Sequence, residues 1–361
     1  MTNFKVNEWF LLLYFNLVFS CILEKVKKLE AHMKKQIPLS VLDLVPICEG
    51  YTISEAIENS TKLAQAVEEF GFERYWIAEH HNFSSIASAA TSVILSHIGA
   101  RTKKIRIGSG GIMLPNHTPL VIAEQFGTLE SMYPNRIDLG LGRAPGTDQR
   151  TAMALRKDKN DGSDFPVMLN HLQYLLSNEG GKNAIKAVPG YGLEVPIWLL
   201  GSSTFSASLA GQKGLPFAFA SHFAPDAMMD AIDVYKSNFK PSKQLKEPYI
   251  IICINAICAK TNEEARYLAT TEIQKFLYLQ RGDERLIPKP TQNMDELWED
   301  WEKKAITQKL RESIWGTPEL VKEKLENLVQ RTGASEIMIN SWIHNPQKRI
   351  HSYELIAKTW F

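Results

Sequence analysis

Four short segments carry more chemistry than a turn or a core requires. Glu79-His80-His81 sets a carboxylate beside two imidazoles, a trio able to move protons, donate hydrogen bonds to a ligand or ligate a metal. Adjacent residues on an extended chain point in opposite directions, so the two histidines do not easily share one metal. No HExxH accompanies them, and a histidine satisfied by the backbone is the plainer alternative. Gly108-Ser109-Gly110-Gly111 permits a flat ligand to approach the backbone closely, or simply makes a tight bend. It is not GxGxxG, and no helical pattern follows at once, so it is a poor dinucleotide fingerprint. Gly140-Leu141-Gly142-Arg143-Ala144-Pro145-Gly146 presents one arginine among small residues. Its guanidinium can fork onto a phosphate, or it is a surface arginine in a turn. Gly201-Ser202-Ser203-Thr204-Phe205-Ser206 packs four hydroxyls into five positions. A helix N-cap needs one; the surplus, with free N–H groups, suits an anion.

These segments converge only if the elements before them bring their ends together. Eight short apolar runs do so: Leu39–Leu44, Arg74–Ala78, Ile105–Gly110, Ile137–Gly142, Ile197–Gly201, Phe217–Ala220, Tyr249–Ala259 and Glu336–Asn340. Near-continuous Ile, Val and Leu is the signature of strands covered on both faces. Amphipathic stretches separate them. One opens at Thr52-Ile53-Ser54-Glu55 and stops at Gly71, and another opens at Thr317-Pro318-Glu319 and stops at Gly333. Eight strands alternating with helices predict a (β/α)8 TIM barrel, whose chemistry sits at the C-terminal strand ends. All four segments lie there. Arg143–Pro196 and Lys260–Ser335 are longer than a crossover helix needs and read as insertions carrying binding loops. Trp298 and Trp301, in the second insertion, read as core or interface residues.

Composition narrows the function classes. The chain has 361 residues with 41 Lys+Arg against 40 Asp+Glu, a net charge of +1, so no basic excess marks a nucleic-acid binder. Cys21, Cys48, Cys253 and Cys258 form no CxxC pair; they read as core thiols in a reducing, cytoplasmic setting, and no metal is expected. Residues 1–36 stand apart as an N-terminal extension to a domain spanning 37–361. Their apolar run, Trp9–Leu23, is shorter than the roughly 20 residues that cross a bilayer. It also lacks the flanks of a signal peptide. A start at Met33 would leave the domain whole; a weak anchor or a helix packed on the body are the alternatives.

The stretches WIAEHHNF, IGSGGIMLPNHTPLVIAEQFGTLE, PNRIDLGLGRAPGTD and VPIWLLGSSTFSASLAGQKGLPFAFASHF, with the terminal ELIA, resemble the bacterial luciferase-like flavin monooxygenases. The similarity is greatest to the luciferase-like, FMN-dependent, group 1 oxidoreductases and runs from about Ile37 to Lys358. It implies a TIM-barrel enzyme using reduced FMN and O2 on a small organic substrate, paired as a homodimer. Lacking a nicotinamide fingerprint, such an enzyme would draw its flavin from a separate NAD(P)H:flavin reductase. The resemblance assigns the catalytic histidine to His80, where it would donate a hydrogen bond or proton. It assigns a non-proline cis peptide against the flavin ring to Gly110-Gly111. Phosphate binding falls to Arg143, Ser203 and Ser206, with Thr204 adding a backbone N–H or hydroxyl. Ile112, Met113 and Leu114 would line the mouth and keep water out. Gly142 stands where luciferase itself has a reactive cysteine, and Ser221, followed by His222, where the family has a tryptophan. Light emission from an aldehyde is therefore not expected, and the substrate pocket differs. An F420-dependent oxidoreductase or flavin reductase on the same fold, and a non-catalytic flavin-binding protein, are the rival readings.

Overall fold

Every one of the eight apolar runs becomes a strand in the computed structural model, which describes residues 36–155, 162–182 and 184–361. The strands are β1 (Leu39–Asp43), β2 (Arg74–Ile77), β3 (Arg106–Ser109), β5 (Ile137–Gly142), β6 (Ile197–Gly201), β7 (Phe217–Ala220), β8 (Ile250–Cys258) and β10 (Glu336–Asn340). Each pairs in parallel with the next, and β10 pairs with both β8 and β1, closing the ring. This is the (β/α)8 barrel that the alternation of strands and helices predicts. Two short strands escape the sequence pattern. β4 (Ile112–Met113) lies on β5, and β9 (Ile314–Gly316) extends the upper end of β8. Two or three residues are too few to display a period.

Local signals set the helix ends. In α1 (Ile53–Glu69), Thr52 and Glu55 form a reciprocal capping box, which satisfies two otherwise orphaned N–H groups. The 15-residue α10 (Pro318–Thr332) starts with proline in its first turn and ends on Gly333 at φ 63°, the left-handed stop that glycine adopts without strain. The insertion after β5 contributes α4 (Gln149–Leu155) and α5 (Phe165–Leu176). The one after β8 contributes α8 (Asn262–Gln280) and α9 (Asp300–Lys309) before β9 and α10. There Trp298 packs on the cluster of Phe276, Ile306 and Leu310, whereas Trp301 is 62% exposed.

Strand residues alternate between the barrel interior and the surrounding helices. At the N-terminal end the interior is ionic. Arg74 donates to Asp138 at 2.8 Å and to Glu336 at 2.8 and 3.0 Å. Arg106 joins Asp138, while Tyr249 and Ser40 donate to Glu336. The Arg74 guanidinium also lies 4.6 Å from the Trp198 ring. Two residues further along several strands the interior holds Leu42, Trp76, Ala218 and Met338. At the C-terminal end Ala78, Gly110, Gly142 and Ala220 take the same inward positions. Side chains that small cannot fill the barrel, and a cavity opens above them.

Residues 1–35 lie outside the described residues, and with them the expected N-terminal extension. Among the described residues no helix is long and apolar enough to cross a membrane. Cys48, Cys253 and Cys258 are buried free thiols, and burial pushes the Cys48 and Cys258 thiols up to about 12.

Candidate active site

Two adjoining chambers open at the C-terminal end of the barrel. The inner one, about 220 Å³, is lined among others by Gly110, Gly111, Arg143, Ser203, Ser206 and His80. The outer one, about 230 Å³, lies against α8 and the loop after it. Leu44, His80, His222 and Phe223 line both and so mark the passage between them.

His80 and His81 diverge, as the alternation of an extended chain requires. His80 turns inward. Its Nδ1 lies 3.2 Å from the carbonyl oxygen of Gly146; a carbonyl only accepts, so Nδ1 carries the hydrogen and Nε2 is left with its lone pair. Burial holds the ring's pKa down to about 4. In this tautomer Nε2 turns a lone pair toward the chambers that His80 lines. Gly146 makes this possible at φ 64°, where a β-carbon would come within 2.9 Å of Glu79 O.

His81 turns outward to Glu79, with Nε2 2.7 Å from Oε1, and His117 Nε2 reaches the same carboxylate at 2.9 and 3.0 Å. The Met113 N–H adds a fourth contact at 3.1 Å. Glu79 is fully buried, yet despite that burial these donors hold its pKa down to about 2. The three side chains cluster within 4.8 Å, and in this structure they meet at the spacings of direct hydrogen bonds. Glu79 thus anchors the end of β2 to the segment after β3 and thereby steadies His80.

The Gly110–Gly111 peptide is cis. A β-carbon on Gly110 would lie 2.6 Å from Leu42 Cδ1, and one on Gly111 would lie 2.8 Å from the backbone oxygen of Gly140. Side chains here would collide with the barrel wall, so the glycines are required by packing as well as by access to the chamber. Gly142 has a similar explanation: Met113 Sδ lies 2.8 Å from where its β-carbon would stand. The thioether fills the space that a side chain at 142 would enter. Of the three apolar residues expected at the mouth, only Met113 lines a chamber. Ile112 and Leu114 are buried behind it, at 2% and 0% exposure.

At the rim, Arg143 lies 4.2 Å from the Phe205 ring and forms no ion pair among the described residues. Ser203 caps α6 (Thr204–Lys213) by backbone conformation alone; its hydroxyl makes no capping hydrogen bond. Ser206 is buried, and it lines the chamber together with Ser202 and Ser203. Here the structure leaves a guanidinium, unspent hydroxyls and the first N–H groups of a ten-residue helix facing one corner. Thr204 differs: its side chain is exposed and does not line the chamber, so only its backbone N–H is available.

Three further residues were not singled out as site residues by their sequence context. His222 follows β7 and lines both chambers. Its Nδ1 is buried without a partner among the described residues, and burial, with Lys275 nearby, holds its pKa down to about 3. Ser221, just before it, points into the wall and donates to Cys253 O at 2.9 Å. Its position after a barrel strand was the signal for His222. Glu272 and Lys275, by contrast, sit three apart on α8 with nothing in the local sequence to set them apart. Glu272 accepts from Ser313 Oγ at 2.8 Å and Trp315 Nε1 at 3.0 Å, and burial raises its pKa to about 7. Lys275 lines the outer chamber, and burial lowers its pKa to about 8.

A closed parallel barrel with a cleft of this kind at its C-terminal end is the architecture of a TIM-barrel enzyme. The family profile of luciferase-like monooxygenases matches residues 39–336. The Bacillus subtilis (strain 168) uncharacterized protein YvbT is 52% identical over 330 residues, covering 91% of this chain and 98% of that one. A luciferase-like monooxygenase of Escherichia coli (strain K12) is 50% identical over 322 residues, covering 89% and 96%. Among solved structures, apo-MsnO8 superimposes with a TM-score of 0.81 at 32% identity, covering 90% of this chain and 98% of that one. The oxygenating constituent of 3,6-diketocamphane monooxygenase from Pseudomonas putida, in complex with FMN, shares the fold at a TM-score of 0.66 and 16% identity, covering 90% and 97%. The chain belongs to the luciferase-like monooxygenase family.

Proposed function

We propose that the protein is an FMN-dependent monooxygenase that inserts oxygen into a small organic substrate in the cytoplasm. The observation that carries this reading is the unspent corner at the rim, where Arg143 and the hydroxyls of Ser203 and Ser206 face one chamber with no ion pair or side-chain hydrogen bond among the described residues. A terminal phosphate fits that donor set. The fold of the FMN complex named above, and family membership, support the same cofactor.

Reduced FMN bound there would supply the oxygen chemistry, passing one atom of O2 to the substrate while the other leaves as water. The chain's own part is placement and proton control. Arg143, Ser203 and Ser206 hold the phosphate, with the Thr204 N–H at the same helix end. The Gly110-Gly111 segment leaves its face of the chamber free of side chains for the ring. Leu42, Leu44 and Met113 keep the interior apolar and exclude water. His80, neutral and open at Nε2, accepts a hydrogen bond or proton from the substrate beside the flavin. With no nicotinamide fingerprint in the chain, a separate NAD(P)H:flavin reductase supplies the reduced cofactor. The family resemblance favours a homodimer.

Fluorescence titration of the full chain with FMN and with F420 tests the cofactor. Micromolar or tighter FMN binding with no comparable F420 binding is expected, and F420 preference would overturn the assignment. Incubation with FMN, a flavin reductase, NADH and O2 across candidate substrates should then yield a product heavier by one oxygen atom.

A further inference from the structure

We propose that the outer chamber takes a small organic carboxylate and that Lys275 is the anchor for its charge. This rests on the flavin reading above for what happens to the bound molecule, but the recognition is argued from the chamber itself.

Lys275 projects from α8 into the outer chamber, with its Nζ 4.2 Å from the centre of the Trp342 ring and 4.6 Å from that of Phe276. Aromatic faces attract a cation but do not neutralise it. Among the described residues no carboxylate lies within 4.0 Å of that ammonium. The nearest acid on its own helix, Glu272, already accepts from Ser313 and Trp315. Of the other acids lining the chamber, Asp283 is held by Arg285 and Glu284 is exposed at the surface. His80 and His222, which bound the chamber on its inner side, are neutral at physiological pH. Glu272 attracts this ammonium only from beyond ion-pair distance, so a partly buried cation is left without a direct ion pair, and a desolvated charge favours a closer anion. Trp342 adds a donor, for it is 3% exposed and its Nε1–H finds no acceptor among the described residues.

The rest of the wall specifies the body of the ligand. Phe83, Ile86, Leu279 and Ile287 line the chamber, so carbon rather than further charge belongs there. One compact ammonium matches one compact anion; Lys309 also lines the chamber but is exposed, where water and salt screen it. Because His80 and His222 line both chambers, an acid held by Lys275 would reach toward the flavin chamber with its apolar end.

Calorimetric titration of the full chain, with and without bound FMN, compares benzoate with benzamide and hexanoate with hexanamide. Each acid should bind at least about 10-fold more tightly than its amide, as expected for a hydrogen bond to a charged group. Lys275→Met should remove that preference, weakening the acids about 10- to 100-fold while leaving amide and FMN affinities within about twofold. Lys275→Arg should keep most of it. Equal binding of acid and amide, absence of acid binding, or equal loss of both ligands in Lys275→Met would overturn the proposal. Acid preference in a chain that fails to bind FMN would sink the flavin reading and leave the anion chamber standing. FMN binding without acid preference would do the reverse.

Discussion

The two ends of the barrel interior are built on the same strands with the same alternation, yet one is a plug and the other a pair of chambers. At the lower end Arg74, Asp138 and Glu336 saturate one another with bonds of 2.8–3.0 Å. At the upper end Ala78, Gly110, Gly142 and Ala220 leave space, and the polar groups beside it, His80 Nε2, Arg143, Ser203 and Lys275, have no hydrogen-bond or ion-pair partner among the described residues. The difference teaches that polarity alone does not identify a functional site. Both ends are polar, but only one has donors and acceptors left over for something else.

Breaking the plug should therefore cost stability, and breaking the upper end should cost function. The largest expected effect is that of Arg74→Leu, which strands Glu336 and Asp138 as buried, under-compensated charges and should destabilise the fold by about 3–5 kcal/mol. Urea denaturation reads it; a loss under 1 kcal/mol would show that the network does not hold the barrel. His80→Ala should lower product formation by about 10²- to 10⁴-fold, the usual reach of a positioned acid–base group, with FMN affinity unchanged in a fluorescence titration. Normal turnover would remove His80 from the chemistry. Next, Arg143→Ala should weaken FMN by about 1.5–3 kcal/mol, roughly 10- to 150-fold. Its folding stability should stay within about 0.5 kcal/mol of the parent. A reversed pattern, stability lost and FMN retained, would mean that Arg143 belongs with the plug.

The smallest effect is a pH dependence that only the upper end should produce. In the unfolded chain His80 and His222 titrate near 6.5, and in the folded one near 4 and 3. Between those values the unfolded state binds more protons, so their contribution to stability is complete above pH 6.5 and is lost as pH falls toward 4. Glu272, raised to about 7, works in the opposite direction over this range, but two histidines outweigh one carboxyl. Melting temperatures should therefore drop from pH 6.5 to pH 5, and His222→Phe should shrink or remove that drop. An unaltered slope in the variant would show that His222 is not buried neutral.

Much of the architecture was legible because its signals are local. Continuous apolar runs gave all eight barrel strands, and Thr52-Ile53-Ser54-Glu55 and Gly333 gave helix ends, since caps and strand periods act between near neighbours. β4 and β9 were not legible, being set by pairing with distant strands rather than by their own pattern. The four strand-end segments led to residues that do gather at one chamber, with Thr204 limited to its backbone. Ile112 and Leu114 were misplaced, because two-residue β4 and the short turn after it do not announce which side chain faces inward. The protonation of His80 was also beyond the sequence: the deciding partner is the Gly146 carbonyl, 66 residues away.

By itself, then, the sequence determined the strand and helix pattern, the closed barrel and the end at which the chambers open, because hydrophobic period, capping and strand-end position are properties of short stretches. Tertiary structure alone decided that Lys275 from a helix interior stands beside Trp342 and Phe276, that His222 shares a passage with His80, and that the Gly146 carbonyl holds His80 Nδ1. Those outcomes depend on burial and on which unpaired groups meet across the fold, and neither is encoded within any one segment.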